Sequence, residues 1–460
     1  MNVPAHVFRA YDVRGIVDQD LTPDFARELG RAIGTVARRQ DRRCLSVGRD
    51  CRTHGAALTA AFIEGLLSTG MHVLDLGVVA SPVVYFSLYH LADEIQGGIM
   101  VTGSHNPKEF NGFKICMGQT SIHGEDIQEL RALMESGDYE EGTGTHQNRA
   151  IIRDYIEYIK SNLELPRTDL RVVVDAGNGT AGPFIEPLLR ELGFEVHALY
   201  CDMDGHFPNH HPDPTEPENL NDLIAKVKEV GADVGFAYDG DSDRIGVIDN
   251  NGEILWGDRL LILLSRHLLK SHPGAAIVGE VKCSQTLFDD VAAQGGRPIV
   301  SKVGHSLIKE CMKKEQALLA GEMSGHIFFK HRYFGYDDAI YATGRVLEVL
   351  TASSDSLSGL MSDVPVTHVT PELRVDCPDA IKFKVVEYAV REFKKTNEVV
   401  DIDGARVLFE QGWGLVRASN TQPALVLRCE AQTAEGLKRI RNAIESVVEA
   451  GIRLATGGGA

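Results

Sequence analysis

The chain has 460 residues, of which 43% are hydrophobic and 24% are charged, and its formal net charge is −18 at pH 7. This composition is ordinary for a globular protein, and the length indicates several domains at about 150 residues each. The strong acidity argues against nucleic acid or an anionic membrane as the main partner. A phosphate-bearing ligand would therefore have to be held by a local positive patch.

Neither the cysteines nor the N-terminus indicates export or membrane attachment. The eight cysteines are scattered without a C-x-x-C pair, which favours reduced thiols in a cytoplasmic protein. The first residues lack the basic and apolar regions of a signal peptide. No apolar run approaches the ~18 residues of a membrane span, so we expect no contact with a membrane.

Short apolar runs alternate with amphipathic segments along most of the chain. The periodicity predicts helices over 24–39, 56–69, 183–192, 219–230 and 304–315, with apolar strands between them. The segment Asn250-Asn251-Gly252 lies between two apolar runs and indicates a hairpin. This alternation is typical of α/β domains with mixed or parallel sheets.

Breaks in the alternation divide the chain into four predicted domains. The polar segment 137–147 is interpreted as a linker, and further seams are expected near 252–258 and 351–363. The predicted domains are 1–147, 148–252, 253–363 and 364–460. The first three are expected to be α/β units of similar size, and the last an α+β domain with helices over 378–395 and 433–450.

The segment Val101–Pro107 sets Ser104 on a tight turn after an apolar run. Most of its residue types are also those of an ordinary turn, so the segment alone leaves the function open. Lys114, ten residues on, is a candidate for binding phosphate or moving a proton. His105 invites comparison with a hydrolase triad, but no G-x-S-x-G elbow is present, and adjacent side chains rarely face each other.

The segment Asp239-Gly240-Asp241-Ser242-Asp243-Arg244 concentrates three carboxylates at alternate positions. In an extended or looped backbone such side chains share a face, so they can converge on one cation. Ligation by oxygen atoms alone favours Mg²⁺ over Zn²⁺. A solvated acidic turn is the alternative, whereas an EF-hand is excluded by Arg244 and Asn250. Arg244 is well placed to bind phosphate.

The segment Gly177–Gly182 matches G-x-G-x-x-G between a predicted strand and a predicted helix, with Asp202 and Asp204 about 20 residues on. It therefore supports a dinucleotide site and, as an alternative function, an NAD-dependent oxidoreductase. Against this alternative, the motif lies in the middle of the chain, and tight packing of the strand on the helix would also require glycines.

Two later segments have the side chains for binding a sugar phosphate. If the segment 321–326 were extended, Glu322, Ser324 and His326 would point the same way and would suit sugar hydroxyls. Hydroxyl and amide side chains over 417–423, with Arg417 and Arg428, would form a phosphate cradle. No segment matches G-x-x-x-x-G-K-[ST], so ATP is not supported as the phosphate source.

Taken in order from Tyr11 to Arg428, these segments resemble the α-D-phosphohexomutase superfamily, and more narrowly its bacterial phosphomannomutase/phosphoglucomutase branch. The motifs that carry the resemblance are Thr-Gly-Ser-His-Asn-Pro at 102–107 and Asp-Gly-Asp-x-Asp-Arg at 239–244. Met323 and the segment Ala418–Thr421 distinguish the chain from the similar phosphoglucosamine mutases, which are the alternative within the superfamily. The resemblance implies four domains around a central cleft, three of them sharing one mixed α/β topology.

The resemblance also implies roles for individual residues. Ser104 would carry a phosphoryl group, and one Mg²⁺ would be held by Asp239, Asp241, Asp243 and an oxygen of phosphoserine 104. The other candidate catalytic residues, for charge stabilisation and proton transfer, are Arg14, His105, Lys114 and His326. The candidate substrate-binding residues are Tyr11, Arg244, Lys282, His305, Glu322, Ser324, His326, Arg417, Ser419, Asn420, Thr421 and Arg428.

The activity implied is reversible conversion of the 1-phosphates of mannose and glucose into the 6-phosphates. The phosphoserine would act through a hexose 1,6-bisphosphate, with glucose 1,6-bisphosphate as activator and intermediate. The expected partners are small-molecule hexose phosphates, with neither nucleic acid nor membrane, and the expected state is a monomer in the cytoplasm.

Overall fold

The computed structural model describes residues 3–419 and 423–456 of the chain. The backbone forms two compact units, one made of Met1–Leu264 and Ser324–Leu360, the other of Ser265–Met323 and Met361–Ala460. Within the described ranges, no helix has both the length and the apolar content that crossing a membrane requires. All eight cysteines are free thiols.

The first part of the chain builds a mixed sheet in the order β1-β5-β4-β2-β3-β7, with β6 beside β5. Strand β2 is parallel to β3 and β4, whereas β5 is antiparallel to β4 and β1. A 3₁₀ turn at Ala5–Val7 precedes this sheet. Its elements are β1 Val13–Ile16, α1 Pro23–Arg39, β2 Cys44–Arg49, α2 Gly55–Ser68, β3 His72–Val78, α3 Ser81–His90, β4 Gly97–Val101, β5 Phe110–Met117, β6 Thr120–Ser121, α4 Glu125–Ser136 and β7 His146–Asn148.

The second sheet has the order β12-β11-β10-β8-β9, with β8 parallel to β9 and β10, and β11 antiparallel to β10. A 3₁₀ turn at Pro217–Leu220 precedes its last helix. Its elements are α5 Ile152–Asn162, β8 Arg171–Asp175, α6 Gly182–Glu191, β9 Glu195–Leu199, α7 Asn221–Val230, β10 Val234–Tyr238, β11 Ile245–Asp249 and β12 Ile254–Leu255. The predicted hairpin at 250–252 is confirmed, because β11 and β12 pair antiparallel around it.

In the third region β13 runs parallel to β14 on one side and to β15 on the other. Its elements are α8 Gly257–Ser271, β13 Ala276–Glu280, α9 Gln285–Ala293, β14 Arg297–Ser301, α10 His305–Glu315, β15 Leu319–Gly321, β16 Ile327–Phe329, α11 Ala339–Thr351 and α12 Leu357–Leu360. In each of the three regions the first strand of the parallel set (β2, β8 or β13) thus lies between the next two, which helical crossovers join to it. The prediction of one shared α/β topology is confirmed.

The last region is an antiparallel sheet in the order β17-β22-β21-β20-β19, with β18 also paired to β22. Helices α13 and α14 pack against one face of it. Its elements are β17 His368–Val369, β18 Leu373–Asp376, α13 Asp379–Phe393, β19 Val399–Val400, β20 Ala405–Phe409, β21 Gly412–Ala418, β22 Ala424–Ala431 and α14 Ala434–Ala455. This arrangement confirms the predicted α+β domain.

The predicted helices α1, α2, α6, α7 and α10 agree with the structure to within two residues at each end. The segment 137–147 differs from the linker interpretation at its end, where β7 extends the first sheet parallel to β3. All three residues of β7 are exposed, so this edge strand has the polar composition of a loop.

Helices α1 and α2 approach each other closely through two glycines. A Cβ atom added at Gly30 would lie 2.2 Å from the carbonyl oxygen of Phe62, and one at Gly65 would lie 2.0 Å from that of Arg27. Backbone atoms cannot rotate away as a side chain could, so neither position has room for a methyl group. This contact fixes α2, which begins directly after the segment 50–54.

We predict that Gly30→Ala destabilises the protein by about 1–3 kcal/mol, the usual cost of overpacking. The matched control is Gly55→Ala on α2, where an added Cβ would meet its nearest atom at an ordinary 3.6 Å. The thermal unfolding midpoint, followed by circular dichroism, should fall for Gly30→Ala and stay near wild type for Gly55→Ala. Equal midpoints for the two variants would contradict the packing argument.

Candidate active site

Ser104 lies in the serine loop, residues 102–109, between β4 and β5. Its backbone has φ 49°, a left-handed conformation that is uncommon for a non-glycine residue. Its amide donates a hydrogen bond to Thr102 Oγ1 (2.8 Å), and its hydroxyl donates one to Asp239 Oδ2 (2.8 Å). The serine is buried, so the turn directs its hydroxyl inward onto a carboxylate.

The carboxylate belongs to the aspartate loop, residues 239–244, which joins β10 to β11. Asp239, Asp241 and Asp243, the carboxylate triad, are fully buried. One oxygen from each lies within 4.8 Å of the other two. Asp239 Oδ1 accepts hydrogen bonds from the amides of Asp243 and Arg244, both at 3.1 Å. The loop therefore folds around its first carboxylate, and the predicted convergence of the three is confirmed.

Lys114 on β5 contacts the carboxylate triad. Its ammonium donates to Asp241 Oδ2 at 2.6 Å and to Asp243 Oδ2 at 2.5 Å. Ser81 Oγ also donates to Asp241 Oδ2, at 2.5 Å. Burial by itself would lower the pKa of Lys114, but the neighbouring carboxylates outweigh it and raise that pKa above its ordinary value. Lys114 is thus held as a cation.

The residues of the triad fit a divalent cation. Burial and repulsion from Asp241 and Asp243 raise the pKa of Asp239 well above its ordinary value, so the three charges are held together at an electrostatic cost. Among the described residues, Asp241 Oδ1 and Asp243 Oδ1 are buried without a hydrogen-bond partner. Carboxylate oxygens are the ligands that Mg²⁺ prefers, and a cation would offset the repulsion.

His105 reaches Ser104 although the two residues are adjacent. Its Nδ1 lies 3.3 Å from Ser104 Oγ, so the sequence argument that adjacent side chains would not face each other is wrong here. The left-handed turn at Ser104 accounts for the difference. Desolvation and the guanidinium groups of Arg244 and Arg14 hold the pKa of His105 well below its ordinary value.

Two further basic side chains, Arg14 and Arg244, lie near His105. Arg14 on β1 donates to Asn106 Oδ1 in the serine loop (3.0 Å) and to Asp12 Oδ2 (2.5 Å). Tyr11, which precedes β1, is half-buried. Arg244 Nε donates to Nε2 of His326 at 3.0 Å, so the proton of a neutral His326 is assigned to Nδ1.

His326 follows a turn and not the extended backbone considered for 321–326. Gly325 has φ 91°, and its carbonyl oxygen accepts from the Ile245 amide at 3.0 Å. The turn carries half-buried Ser324 and brings His326 Nδ1 to 3.0 Å from Asp337 Oδ2 and 3.7 Å from Asp243 Oδ1. Of the predicted residues, the first unit thus brings nine together: Arg14, Ser104, His105, Lys114, Asp239, Asp241, Asp243, Arg244 and His326.

The second unit joins three of the predicted substrate-binding positions through buried carboxylates. Glu322 Oε1 accepts from the Gly304 amide at 2.7 Å, next to His305 at the start of α10. Glu280, at the end of β13, accepts from the amides of Lys282 and Met323. Burial raises the pKa of Glu280. The loops that carry Lys282, His305 and Glu322 are therefore tied together by two carboxylates.

The arginines of the predicted phosphate cradle share one face of the fourth sheet. Leu415 lies opposite Arg428 in the β21–β22 ladder, and Arg417 is two residues further along, so Arg417 and Arg428 point to the same side. Both are buried, and their Nε atoms have no hydrogen-bond partner among the described residues. Arg417 Nη2 lies 3.2 Å from Asp403 Oδ2.

Ser419 directly follows β21, and its carbonyl oxygen accepts from the buried Lys382 ammonium at 2.6 Å. The predicted positions Asn420 and Thr421 lie outside the described residues. On the same face of the sheet, Arg406 donates to the carbonyl oxygens of Val281 and Cys283, at 2.5 and 2.9 Å, on either side of Lys282. The guanidinium of Arg406 stacks 3.8 Å above the ring of Trp413.

Sequence reasoning missed several polar residues that hold these loops. Asp50, Arg52, Ser81 and Glu280 all lie at or just beyond the carboxyl end of a strand of a parallel pair. Active-site residues of open α/β sheets collect at that edge. A buried polar residue directly after an apolar run was therefore the available signal, although it belongs to no motif.

The glycines at 177–182 serve contacts with the aspartate loop and the following strand. A Cβ at Gly179 would lie 3.0 Å from Gly240 Cα, and one at Gly182 would lie 1.9 Å from the Cys201 carbonyl oxygen. Thr180 donates its amide to the Gly240 carbonyl oxygen at 3.1 Å. Close packing therefore accounts for the G-x-G-x-x-G spacing that had supported a dinucleotide site.

Comparison with known families covers almost the whole chain. Models of the phosphoglucomutase/phosphomannomutase family match in order: α/β/α domain I at residues 5–141, domain II at 153–252, domain III at 256–367 and the C-terminal domain at 372–447.

Individual relatives agree with this match. A phosphomannomutase/phosphoglucomutase of Pseudomonas aeruginosa is 45% identical over 449 residues, covering 97% of this chain and 96% of that protein. A phosphoglucomutase of Neisseria meningitidis serogroup A is 44% identical, covering 97% and 98%. A crystal structure of a phosphoglucomutase/phosphomannomutase family protein from Burkholderia thailandensis is 40% identical, with a TM-score of 0.91 over 98% of each chain. The domain matches, the identities and the shared fold together establish that this chain belongs to the phosphoglucomutase/phosphomannomutase family.

Proposed function

We propose that this protein reversibly converts hexose 1-phosphates into hexose 6-phosphates, acting on both glucose and mannose. The observation that carries the proposal is the hydrogen bond from Ser104 Oγ to Asp239 Oδ2, 2.8 Å long, at the edge of the buried carboxylate triad. The names of the relatives support the choice of sugars, since the Pseudomonas aeruginosa protein is named for both and the Neisseria meningitidis protein for glucose.

In this proposal Ser104 carries the transferable phosphoryl group. The free hydroxyl of a hexose 1-phosphate attacks the phosphorus atom, a new O–P bond forms, and the bond from phosphorus to Ser104 Oγ breaks. The attacking hydroxyl loses its proton, and the product is a hexose 1,6-bisphosphate. After the bisphosphate turns end for end, Ser104 Oγ attacks the 1-phosphoryl group and the bond from that phosphorus to O1 of the sugar breaks. O1 takes up a proton, and hexose 6-phosphate is released.

A divalent cation, proposed to be Mg²⁺, would be held by the carboxylate triad and an oxygen of phosphoserine 104. When bound, it would offset negative charge on the phosphoryl oxygens during transfer. Lys114, already an ammonium between two of the carboxylates, adds positive charge at the same place. Arg14, His105 and His326 are proposed to stabilise charge or move the proton of the attacking hydroxyl.

Sugar and phosphate binding are assigned to separate sets of residues. Glu322 and Ser324 would contact the 3- and 4-hydroxyls, which are the same in glucose and mannose, so the epimeric C2 would not be read. The distal phosphate would be gripped mainly by Arg417 and Arg428, whose Nε donors have no partner among the described residues. The further contacts proposed are Tyr11, Arg244, Lys282, His305, Ser419, Asn420 and Thr421.

The proposed function predicts that phosphorus NMR will follow conversion of both sugars. With Mg²⁺, a trace of glucose 1,6-bisphosphate and either glucose 1-phosphate or mannose 1-phosphate, a 6-phosphate resonance should grow. Excess chelator should stop its growth and added Mg²⁺ should restore it, because the triad needs its cation. Release of free phosphate, or no change with either sugar while activator is present, would contradict the proposal.

The grip assigned to Arg417 predicts a selective loss of substrate affinity. Arg417→Ala removes a buried, charged donor worth about 1.5–3 kcal/mol, so KM for glucose 1-phosphate should rise roughly 10- to 100-fold with a smaller change in kcat. Arg439→Ala is the control, since Arg439 on α14 is exposed and donates to Gln411 Oε1 at 3.0 Å. An unchanged KM for Arg417→Ala would refute the grip.

A further inference from the structure

Arg52, on the segment between β2 and α2, is a buried arginine that bonds the serine loop almost entirely through backbone carbonyls. Its side chain has 0% exposure. Nη1 donates to the carbonyl oxygens of Pro107 and Phe110, at 2.6 and 3.0 Å. Nη2 donates to those of Ser104 and Asn106, at 2.8 and 2.6 Å. One guanidinium thus satisfies three acceptors in the loop and a fourth at the start of β5.

Asp50 holds the same loop from the other side of Ser104. Its Oδ2 accepts from Thr102 Oγ1 at 2.7 Å and from the Gly103 amide at 3.1 Å. Its Oδ1 accepts from the Arg52 amide at 3.0 Å, and the Arg52 Nε atom lies 3.3 Å from Oδ2. Asp50 and Arg52 therefore form a clamp that bonds the residues before and after Ser104.

The loop needs such a clamp because its backbone is strained and buried. The left-handed conformation of Ser104 costs about 1–3 kcal/mol and persists only where the surroundings determine it. The ring of Phe207 covers the Arg52 guanidinium at 5.2 Å, and a Cβ at Gly205 would lie 2.4 Å from the Cys51 carbonyl oxygen. With Arg52 closed off in this way, its four acceptors would lose their partners if the guanidinium were removed.

We propose that Arg52 is a positioning residue for phosphoryl transfer: by bonding three carbonyls of the serine loop and that of Phe110 at the start of β5, it holds Ser104 Oγ against the carboxylate triad. This inference rests on the proposed function. Arg52 touches neither the triad nor the reacting hydroxyl in the contacts described, so it acts through the loop backbone. A displacement of a reacting atom by about 1 Å can cost about 100-fold in rate.

Lysine is the informative replacement. Arg52→Lys keeps the charge and most of the volume, but a single ammonium cannot reproduce the planar fork that reaches four carbonyls. The matched control is Arg42→Lys, because Arg42 also donates to a backbone carbonyl, that of Gln96 at 2.7 Å, without contacting the serine loop. The two variants lose the same chemical group from the same part of the fold.

Two readouts on the full-length protein with Mg²⁺ test the proposal. Hydrogen exchange of peptides covering 102–110 should become faster in Arg52→Lys and stay at the wild-type rate in Arg42→Lys. In steady state with glucose 1-phosphate, kcat of Arg52→Lys should fall by about 100-fold. Its KM should stay within about threefold, since the residues proposed to grip the distal phosphate are elsewhere.

Unchanged exchange at 102–110, or a kcat of Arg52→Lys close to that of Arg42→Lys, would overturn the inference. The inference would also be overturned if both variants had a lower unfolding midpoint and kcat fell only in proportion to that loss of stability. If Arg52→Lys does not fold, Asp50→Asn can be used instead, because it weakens the same clamp. It should also lower kcat while leaving KM within about threefold. A wild-type protein without mutase activity would refute the proposed function, while the exchange measurement would still decide whether Arg52 holds the loop.

Discussion

The repulsion among three buried carboxylates is the constraint on which the first unit depends. Asp239, Asp241 and Asp243 are removed from water on one short loop, an arrangement that only positive charge and hydrogen-bond donors can sustain. Lys114, the hydroxyl groups of Ser81 and Ser104, and backbone amides supply these donors. Ser104 is therefore part of the network that makes the acidic cluster tolerable, and that network directs its hydroxyl to the carboxylate triad.

The strand arrangement explains how residues distant in sequence reach this network. Parallel strands present their carboxyl ends at one edge of a sheet, and the loops that follow them carry the polar side chains. Ser104 follows β4, and Asp50 follows the adjacent β2. In the second unit the same rule brings together Glu280 at the end of β13 and Glu322 directly after β15. The repeated α/β topology thus produces one group suited to phosphoryl chemistry and another suited to recognising sugar hydroxyls.

Much of the fold, and the convergence of the three aspartates, could be predicted from the sequence because both are encoded locally. The helix periods, the hairpin at 250–252 and the alternating aspartates each lie within a few residues. The missed features depend on tertiary packing: Arg52 and Glu280 are single residues that bond segments distant in sequence as well as near neighbours, and β7 has the composition of a loop. His105 was misjudged because a left-handed φ at Ser104 is not visible in the residue types. The positive φ of Gly325, which replaces the extended backbone considered for 321–326 by a turn, is likewise not visible in the residue types.

The most direct test of the account is whether Ser104 receives and gives up a phosphoryl group. The protein would be incubated with glucose 1,6-bisphosphate labelled in both phosphates, and the label located by peptide mass spectrometry before and after adding unlabelled glucose 1-phosphate. We predict label on Ser104 that is discharged into hexose phosphate, no label in Ser104→Ala, and normal labelling in Ser136→Ala. Turnover without label on Ser104, or label that unlabelled substrate does not remove, would contradict the account.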